Sequence, residues 1–290
     1  MVVVQGDPSL RAEVVDRVVR DFALQEFKLK TIVNVSPTSA NKNTYWRESR
    51  SELTGGTGSS FLGVPRLANP PYAEVTWTEA SSYLIKFMAE GVISYEDERT
   101  NELDVVARTL LRIGRGVASQ VDAHIWNVLT EDRTVVNINE VAIAAGSEWD
   151  SSTLVNRDPL FNILRAKRLI EEFQYDTSNG GYLLLSPKGF EDLMRHEDVK
   201  KSADFYTSDV TRNGQVGRVV GLTIVVSTAV TADYAAVCLG KQAATFKQAQ
   251  DLTTEVINDP GIKKTIRAWE WGVAQLHDPK AVTLISNTAA

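Results

Sequence analysis

The longest regular alternation of apolar and polar positions runs from about residue 100 to residue 129 and predicts one long amphipathic helix. Its large apolar residues recur at spacings of three and four, which places them on one stripe of a helix. They are Leu103, Val106, Leu110, Ile113, Val117, Val121, Ile125 and Val128. The opposite face is polar and carries Arg108, Arg112, Arg115, Ser119, Asp122 and Asn127. With Thr100 as its N-cap, such a helix would be about 40 Å long, so we expect a scaffold element.

Gly114 and Gly116 lie in the middle of this predicted helix. Each glycine weakens a helix by about 1 kcal/mol relative to alanine. We therefore expect the backbone of another element to approach closely at this point.

A second helical pattern covers residues 8–30, with Pro8 at the first helical position and Asp7 before it as cap. Its apolar face comprises Leu10, Val14, Val15, Val18, Val19, Phe22 and Phe27. The chain then becomes polar between residues 35 and 53. This combination predicts an N-terminal arm that packs on something outside its own domain.

Two strand-like stretches, residues 44–52 and 72–79, flank a tip rich in glycine, serine and proline. The pattern predicts a long β-hairpin. Because a protruding two-stranded hairpin is only marginally stable alone in water, we expect it to lie on a partner surface.

The remaining patterns are mixed. Strands are predicted at residues 83–95, 135–145, 182–185, 218–227, 234–239, 244–248 and 262–285, and helices at 159–173 and 188–195. In the last strand Arg267, Trp269 and Trp271 alternate with Ile266, Ala268 and Glu270. The order lacks a regular strand–helix–strand rhythm, which indicates an α+β fold and argues against a doubly wound nucleotide-binding fold.

Composition narrows the class of protein. The chain has 290 residues and a formal net charge of -6, whereas a general nucleic-acid binder is expected to be basic. Cys238 is the single cysteine and lies in an apolar run, so we expect it in the core and expect no internal disulfide. No apolar run reaches the ~18 residues of a membrane span, and a cytoplasm-like compartment is expected.

Candidate chemistry is sparse. The glycine-rich stretch 55–60 lacks the lysine and following helix of a phosphate-binding loop. The histidines His124, His196 and His277 are widely separated, without metal-site spacing. Carboxylates cluster at Glu96, Asp97 and Glu98, at Glu171 and Glu172, and at Asp192. We predict no catalytic, cofactor-binding or metal-binding residues, and a soluble α+β enzyme with a carboxylate-based site stays open as an alternative.

The order of these parts resembles the major capsid proteins of tailed double-stranded-DNA bacteriophages and related archaeal viruses. The resemblance spans residues 34–285. Two stretches carry most of it. The first is Tyr182-Leu-Leu-Leu-Ser-Pro-Lys-Gly-Phe-Glu-Asp-Leu193, and the second is Val219-Val-Gly-Leu-Thr-Ile-Val-Val-Ser227 followed by residues 235–239 and then Ala243-Ala-Thr-Phe-Lys247. Residues 266–273 and Asp278-Pro-Lys-Ala281 also match, whereas Leu222 and Thr223 stand where the family often has proline.

The resemblance implies the tailed-phage major capsid fold, which encapsulins share. It has an N-terminal helix and arm (residues 1–40) and an extended hairpin loop (41–80). A peripheral domain (81–140 and 247–290) contains the spine helix (100–129), and a mixed α/β axial domain covers 141–246.

The implied function is mechanical and not enzymatic. Copies would assemble as hexamers and pentamers into an icosahedral virion shell around packaged double-stranded DNA, which is bound without sequence specificity. The hairpin would lie over a neighbouring subunit and the arm would clasp another. A portal protein and a separate scaffold or cement protein are the implied partners, with no membrane and with the host cytoplasm as the location before assembly.

Two departures from the family pattern matter. The arm begins almost at Met1, so scaffolding is expected from a separate protein or not at all. Some members cross-link a lysine of the hairpin tip to an asparagine, but residues 53–71 contain Arg66 and no lysine, which argues against cross-linking here. An encapsulin-type compartment shell remains an alternative within the same fold.

Overall fold

The structure is a computed structural model that describes residues 12–48, 65–69, 77–100, 105–130, 138–151, 153, 156–178, 180–197, 199 and 217–289. The described helices are α1 (Ala12–Glu26), α2 (Tyr95–Thr100), α3 (Val105–Thr130), α4 (Pro159–Glu171), α5 (Pro187–Arg195) and the short α6 (Gly240–Ala243). The first strands are β1 (Asn34–Pro37), β2 (Lys42–Glu48), β3 (Trp77–Tyr83), β4 (Ile85–Ser94), β5 (Asn139–Ala142) and β6 (Tyr182–Leu185). The later strands are β7 (Arg218–Val219), β8 (Leu222–Val226), β9 (Tyr234–Cys238), β10 (Ala244–Asp259), β11 (Lys263–Leu276) and β12 (Val282–Ser286).

A four-stranded sheet in the order β1-β10-β11-β4 forms the first structural unit. Only β1 runs parallel to its neighbour, while β11 is antiparallel to both β10 and β4. Helices α3 and α1 cover one face of this sheet, and Phe87 and Ile93 of β4 are buried beneath them. The alternate residues of β4, including Met88 and Val92, point to the other face and are exposed.

A six-stranded sheet in the order β5-β12-β9-β6-β8-β7 forms the second unit. Helix α4 packs on β12, β5 and β9, and α5 packs on β6. Strands β6, β9 and β12 carry the fully buried core of this unit, which includes Leu184, Ala236 and Leu284.

The third unit is the base of the predicted hairpin. Strands β2 and β3 pair antiparallel over seven residue pairs, from Lys42 opposite Tyr83 to Glu48 opposite Trp77. The hairpin prediction is therefore confirmed at its base, while most of its tip and the stretch 55–60 lie outside the described residues.

The long central helix is confirmed, with its predicted apolar stripe buried from Leu110 to Ile125. Its start was predicted wrongly, because Thr100 is the last residue of α2 and its hydroxyl donates to the Glu96 carbonyl at 3.0 Å. The predicted close approach of another backbone is not found at Gly116. A Cβ added at Gly116 would meet Ala89 at an ordinary 3.6 Å, whereas one added at Gly91 of β4 would lie 2.5 Å from Thr109 Cγ2.

Helix α1 packs within its own chain, contrary to the prediction of an arm that packs elsewhere. It ends at Glu26 rather than Lys30, and its Val15, Val19 and Ala23 are fully buried against α3 and β10. Strand β1, which was also assigned to the arm, pairs with β10. The described part of the arm is thus built into the four-stranded unit.

The C-terminal third differs most from the predicted strands. Strand β10 has 16 residues and not the five predicted, because β-bulges near Gln248 and Gln250 interrupt its alternation. The predicted strand 262–285 is two strands, since a 3₁₀ turn at Pro279–Ala281 sends β12 into the six-stranded sheet. Residues 282–286 therefore lie in the six-stranded sheet, whereas β11 lies in the four-stranded one. The predicted strand 218–227 is likewise split by a turn into β7 and β8.

Candidate assembly surfaces and the contacts that orient them

The hairpin is fixed to the turn that joins β11 and β12. Lys280 is only 2% exposed, and its Nζ lies 2.8 Å from Glu48 Oε2 at the end of β2. The Glu48 amide donates to the His277 carbonyl at 3.0 Å, and Arg47 Nε donates to the Leu276 carbonyl at 3.2 Å. One buried ammonium and two bonds to the backbone thus set the angle at which the hairpin leaves the body of the chain.

Aromatic and carboxylate groups add further contacts to this attachment, which we call the hairpin joint. The Tyr45 ring meets the His277 ring edge to face, with 5.2 Å between centroids. Burial lowers the pKa of His277, with a smaller opposing effect of its hydrogen bond to the Trp46 carbonyl. On the other side of the turn Tyr175 donates its hydroxyl hydrogen to Asp278, whose carboxyl pKa is raised by burial. The turn therefore connects the hairpin, the β11 end and the loop after α4.

One face of the hairpin carries three exposed aromatic side chains. Trp46 is 56% exposed, Trp77 is 49% exposed and Tyr83 is 61% exposed. Trp46 lies opposite Glu79 and Trp77 lies opposite Glu48, so the two indoles are diagonal neighbours on the same face. Their side chains form the walls of one apolar depression. We call this surface the hairpin face.

The four-stranded sheet has a second exposed surface, the face that no described helix covers. It carries Met88 (52% exposed), Val92 (54%) and Trp271 (41%), with Trp269 opposite Met88. An ion pair, Glu90 with Arg267 at 2.9 Å, lies among these apolar residues. We call this surface the open sheet face. The sequence prediction that Trp269 and Trp271 share one strand face is confirmed by the alternate burial of Ile266, Ala268 and Glu270.

Asp122 ties the chain after α1 to the central helix. It was predicted on the polar face of the helix, but it is 3% exposed. Its carboxylate accepts three backbone N–H bonds, from Lys28 at 2.8 Å, Leu29 at 3.2 Å and Lys30 at 3.1 Å. Burial raises the pKa of Asp122, and these three hydrogen bonds act in the opposite direction. The carboxylate serves as a cap for a bend in the main chain.

A buried ion pair also fixes the segment after α1, in this case to β11. The Lys30 ammonium pairs with Glu270, which is fully buried, and lies 4.5 Å from the centroid of the Phe27 ring. Gln248 Nε2 donates to Glu270 at 3.1 Å. Burial raises the pKa of Glu270, and the charge of Lys30 lowers it by a smaller amount. Glu270 was predicted only as a member of the inner strand face, and the sequence gives no local signal that it has a lysine partner.

The histidines lie apart from one another. His124 Nε2 accepts the Ala274 amide at 3.2 Å, its ring lies beside Phe87, and burial lowers its pKa. His196 Nε2 lies 3.2 Å from the Arg157 carbonyl. Among the described residues no group of three or more His, Cys, Asp or Glu side chains is placed to hold a metal ion. Cys238 is fully buried, and burial raises the pKa of its thiol to about 12.

The candidate carboxylates whose side chains are described lie on or next to three helices and do not form a shared site, while the side chain of Glu98 lies outside the described part of the chain. Glu96 and Asp97 are exposed on α2, which packs on β4 and α3. Glu171 accepts the Thr177 hydroxyl, and Glu172 pairs with Arg168 at 3.2 Å. Asp192 on α5 is 5% exposed, and its pKa is raised mainly by burial.

A polar cleft of about 590 Å³ lies beside the turn after α4. Gln174, Tyr175, Asp176, Gly180, Tyr182, Leu239, Lys241 and Gln242 line it. Its described lining has one carboxylate, Asp176, so it does not hold the pair that carboxylate-based hydrolysis uses.

The fold is that of viral capsid proteins. The chain is similar to the virus-like particle from Pyrococcus furiosus, with 11% identity, a TM-score of 0.63, and coverage of 94% of this chain and 98% of that one. It is similar to the capsid of the cyanophage P-SCSP1u, with 14% identity, a TM-score of 0.63, and coverage of 88% and 86%. It is also similar to the capsid of a native GTA particle, with 15% identity, a TM-score of 0.64, and coverage of 100% and 96%.

The sequence itself places the chain in a family. Residues 92–285, more than half of the chain, match the phage capsid protein family, and the chain belongs to that family. Its role is therefore that of a structural protein of a capsid shell, as the resemblance predicted. No curated protein matches the chain significantly. None of the described helices is long and apolar enough to cross a bilayer.

Proposed function

We propose that copies of this chain assemble as hexamers and pentamers into an icosahedral shell that encloses packaged double-stranded DNA. The observation that carries the proposal is the pair of exposed apolar surfaces, the hairpin face and the open sheet face. Neither surface is covered by the described parts of its own chain. A monomer seldom leaves several tryptophans and methionines exposed on contiguous surfaces, because their burial is favourable.

The two surfaces differ in shape and residue content, which favours a heterologous contact. A heterologous contact repeated by rotation closes into a ring, as the hexamers and pentamers of a shell require. The hairpin face of one copy would contact the open sheet face of the next, placing Trp46 and Trp77 against Met88, Val92 and Trp271. The fixed joint at Lys280 supports this arrangement, because a hairpin held at one angle loses little freedom on docking.

In this arrangement the six-stranded unit lies near the centre of each ring and the unit with α3 lies at its periphery. The protein acts mechanically, without a catalytic step. It is located in the virion capsid after assembly and in the host cytoplasm before it. A portal protein and a scaffold or cement protein act with it.

The test is electron microscopy of the purified protein, with light scattering, on the wild type and on the double variant Trp46→Ser/Trp77→Ser. The control is Thr44→Ala/Ser81→Ala, because these two residues are opposite each other on the same hairpin face but carry little apolar area. Closed shells or hexameric and pentameric rings from the wild type and the control, with smaller species from the tryptophan variant, are the expected result. A wild type that stays a compact monomer or dimer at every concentration, with a scaffold protein present, would refute the proposal.

A further inference from the structure

The exposed face of α3 carries a row of arginines. Arg108, Arg112 and Arg115 are all exposed, and they are spaced by four and three residues along the helix. At 100° per residue they fall within an arc of about 60°, opposite the buried stripe of Leu110, Val117 and Val121. The row spans about 10 Å along the helix axis, at 1.5 Å per residue.

Within the described length of α3, the polar face that carries the row has a single acidic side chain, and its carboxylate is engaged by main-chain groups. Asp122 is the one acidic residue in the described length of α3, and its carboxylate is buried under the main chain of Lys28, Leu29 and Lys30. Arg108 and Arg112 form no ion pair within the described parts of the chain. On a chain with a formal net charge of -6, this face is therefore a local region of positive charge.

The row continues into a small recess beside the end of α1. Lys28 and Arg115 line this recess of about 90 Å³ together with Ser119, Asp122, Ser227, Thr228 and Ala229. Lys28 and the hydroxyl groups of Ser227 and Thr228 thus extend the row past the helix. The Asp122 carboxylate is directed to three backbone N–H groups, which reduces its effect on an approaching anion.

The composition of this face favours a nucleic acid over a protein partner. None of the exposed large apolar side chains of the described chain lies on α3. Protein interfaces have an apolar core, whereas surfaces that bind DNA are polar and positively charged. The arginine row is also on the helix side of the four-stranded sheet, away from the open sheet face.

We propose that Arg108, Arg112 and Arg115, with Lys28, contact backbone phosphates of double-stranded DNA on the inner side of the shell. The contact needs no base edge, so it carries no sequence preference. The helix side then faces the packaged DNA, while the open sheet face and the hairpin face make contacts between subunits. That the bound DNA is the packaged genome rests on the proposed shell function, whereas the positive charge of the surface does not depend on it.

The experiment measures binding of the full chain, before shell closure, to a fluorescein-labelled 30-base-pair duplex of arbitrary sequence at several salt concentrations. The variant is Arg108→Gln/Arg112→Gln, which leaves Arg115 in place and keeps good helix formers. The control is Arg165→Gln/Arg168→Gln, two exposed arginines of α4. The slope of log affinity against log salt is negative, and each lost phosphate contact reduces its magnitude by about 0.9. We therefore expect the magnitude to fall by about 1.8 for the variant and to stay unchanged for the control.

Assembly of the same variants distinguishes this inference from the proposed function. If the arginine variant forms normal shells that protect less DNA from nuclease, and also shows the reduced slope, both the shell function and the DNA-binding surface are supported. An unchanged slope with normal shells refutes the arginine surface alone. An unchanged slope with failed assembly refutes it as well and assigns the row to a protein contact. A reduced slope in a protein that never forms shells supports the DNA surface and refutes the shell.

Discussion

Replacing Asp122 by alanine tests the attachment of the N-terminal segment directly. The substitution removes the acceptor of three backbone N–H groups, of which that of Leu29 is buried and those of Lys28 and Lys30 are partly buried. A buried donor left without an acceptor costs about 1–3 kcal/mol, while a partly buried donor can bind water instead. The variant also relieves the unfavourable burial of the carboxylate, which raises the pKa of Asp122. We therefore expect the free energy of unfolding to fall by about 2–3 kcal/mol.

Two variants make the comparison specific. Asp122→Asn keeps one acceptor oxygen and should cost roughly half as much as Asp122→Ala. Asn127→Ala removes an exposed polar side chain from the same helix and should change stability by less than about 0.5 kcal/mol. The expected loss of stability is thus largest for Asp122→Ala, smaller for Asp122→Asn and smallest for Asn127→Ala.

The assay combines urea unfolding of the unassembled chain with hydrogen exchange of individual amides. In the wild type the Lys28, Leu29 and Lys30 amides should exchange slowly, and in Asp122→Ala they should exchange much faster than the amides in the middle of α3. Equal stability of Asp122→Ala and Asn127→Ala, or unchanged exchange at residues 28–30, would show that the carboxylate does not hold this segment.

Three further predictions concern the hairpin joint, the helix–sheet contact and one turn. Glu48→Gln removes the carboxylate charge that pairs with the buried Lys280 ammonium, and it should lower stability by roughly 2–3 kcal/mol in thermal unfolding. The double variant Glu48→Gln/Lys280→Met should recover this loss, and a single variant as stable as the wild type would contradict the prediction. Burial lowers the pKa of His124 in the folded chain, so its contribution to stability is present above the pKa of the unfolded chain, near 6.5, and is lost as the pH falls below that value. In urea unfolding, His124→Gln should therefore lose less stability than the wild type between pH 7.5 and pH 5.5. Equal losses would refute this prediction. Val220 adopts φ 55° before Gly221, in a two-residue turn that favours asparagine followed by glycine. Val220→Asn should therefore raise the free energy of unfolding by about 1 kcal/mol, measured as a higher thermal midpoint. Val219→Asn, at the neighbouring strand position, should not raise it.

Sequence alone determined the elements whose signals are local. The periodicity of residues 105–130 gave the central helix, since a stripe at spacings of three and four can be buried only as a helix. Helices α4 and α5 begin where predicted because their caps are adjacent in sequence. The Asp158 carboxylate accepts the Phe161 amide at 2.8 Å before Pro159, and the Ser186 hydroxyl accepts the Gly189 amide at 3.0 Å before Pro187. The order of these elements was enough to predict the capsid fold.

Tertiary structure alone decided which groups meet. Asp122 reads as one more polar residue of a helix face, and only the return of the chain after α1 makes it a buried cap. The alternation of β11 shows two faces, but it does not show that Lys30 reaches Glu270. Strand β12 resembles a continuation of β11, yet it pairs with β5 and β9. Periods and caps act over a few residues and depend on the local sequence. Strand pairing, register and buried charge partners join residues that are distant in sequence, 93 positions for Asp122 and Leu29 and 240 for Lys30 and Glu270.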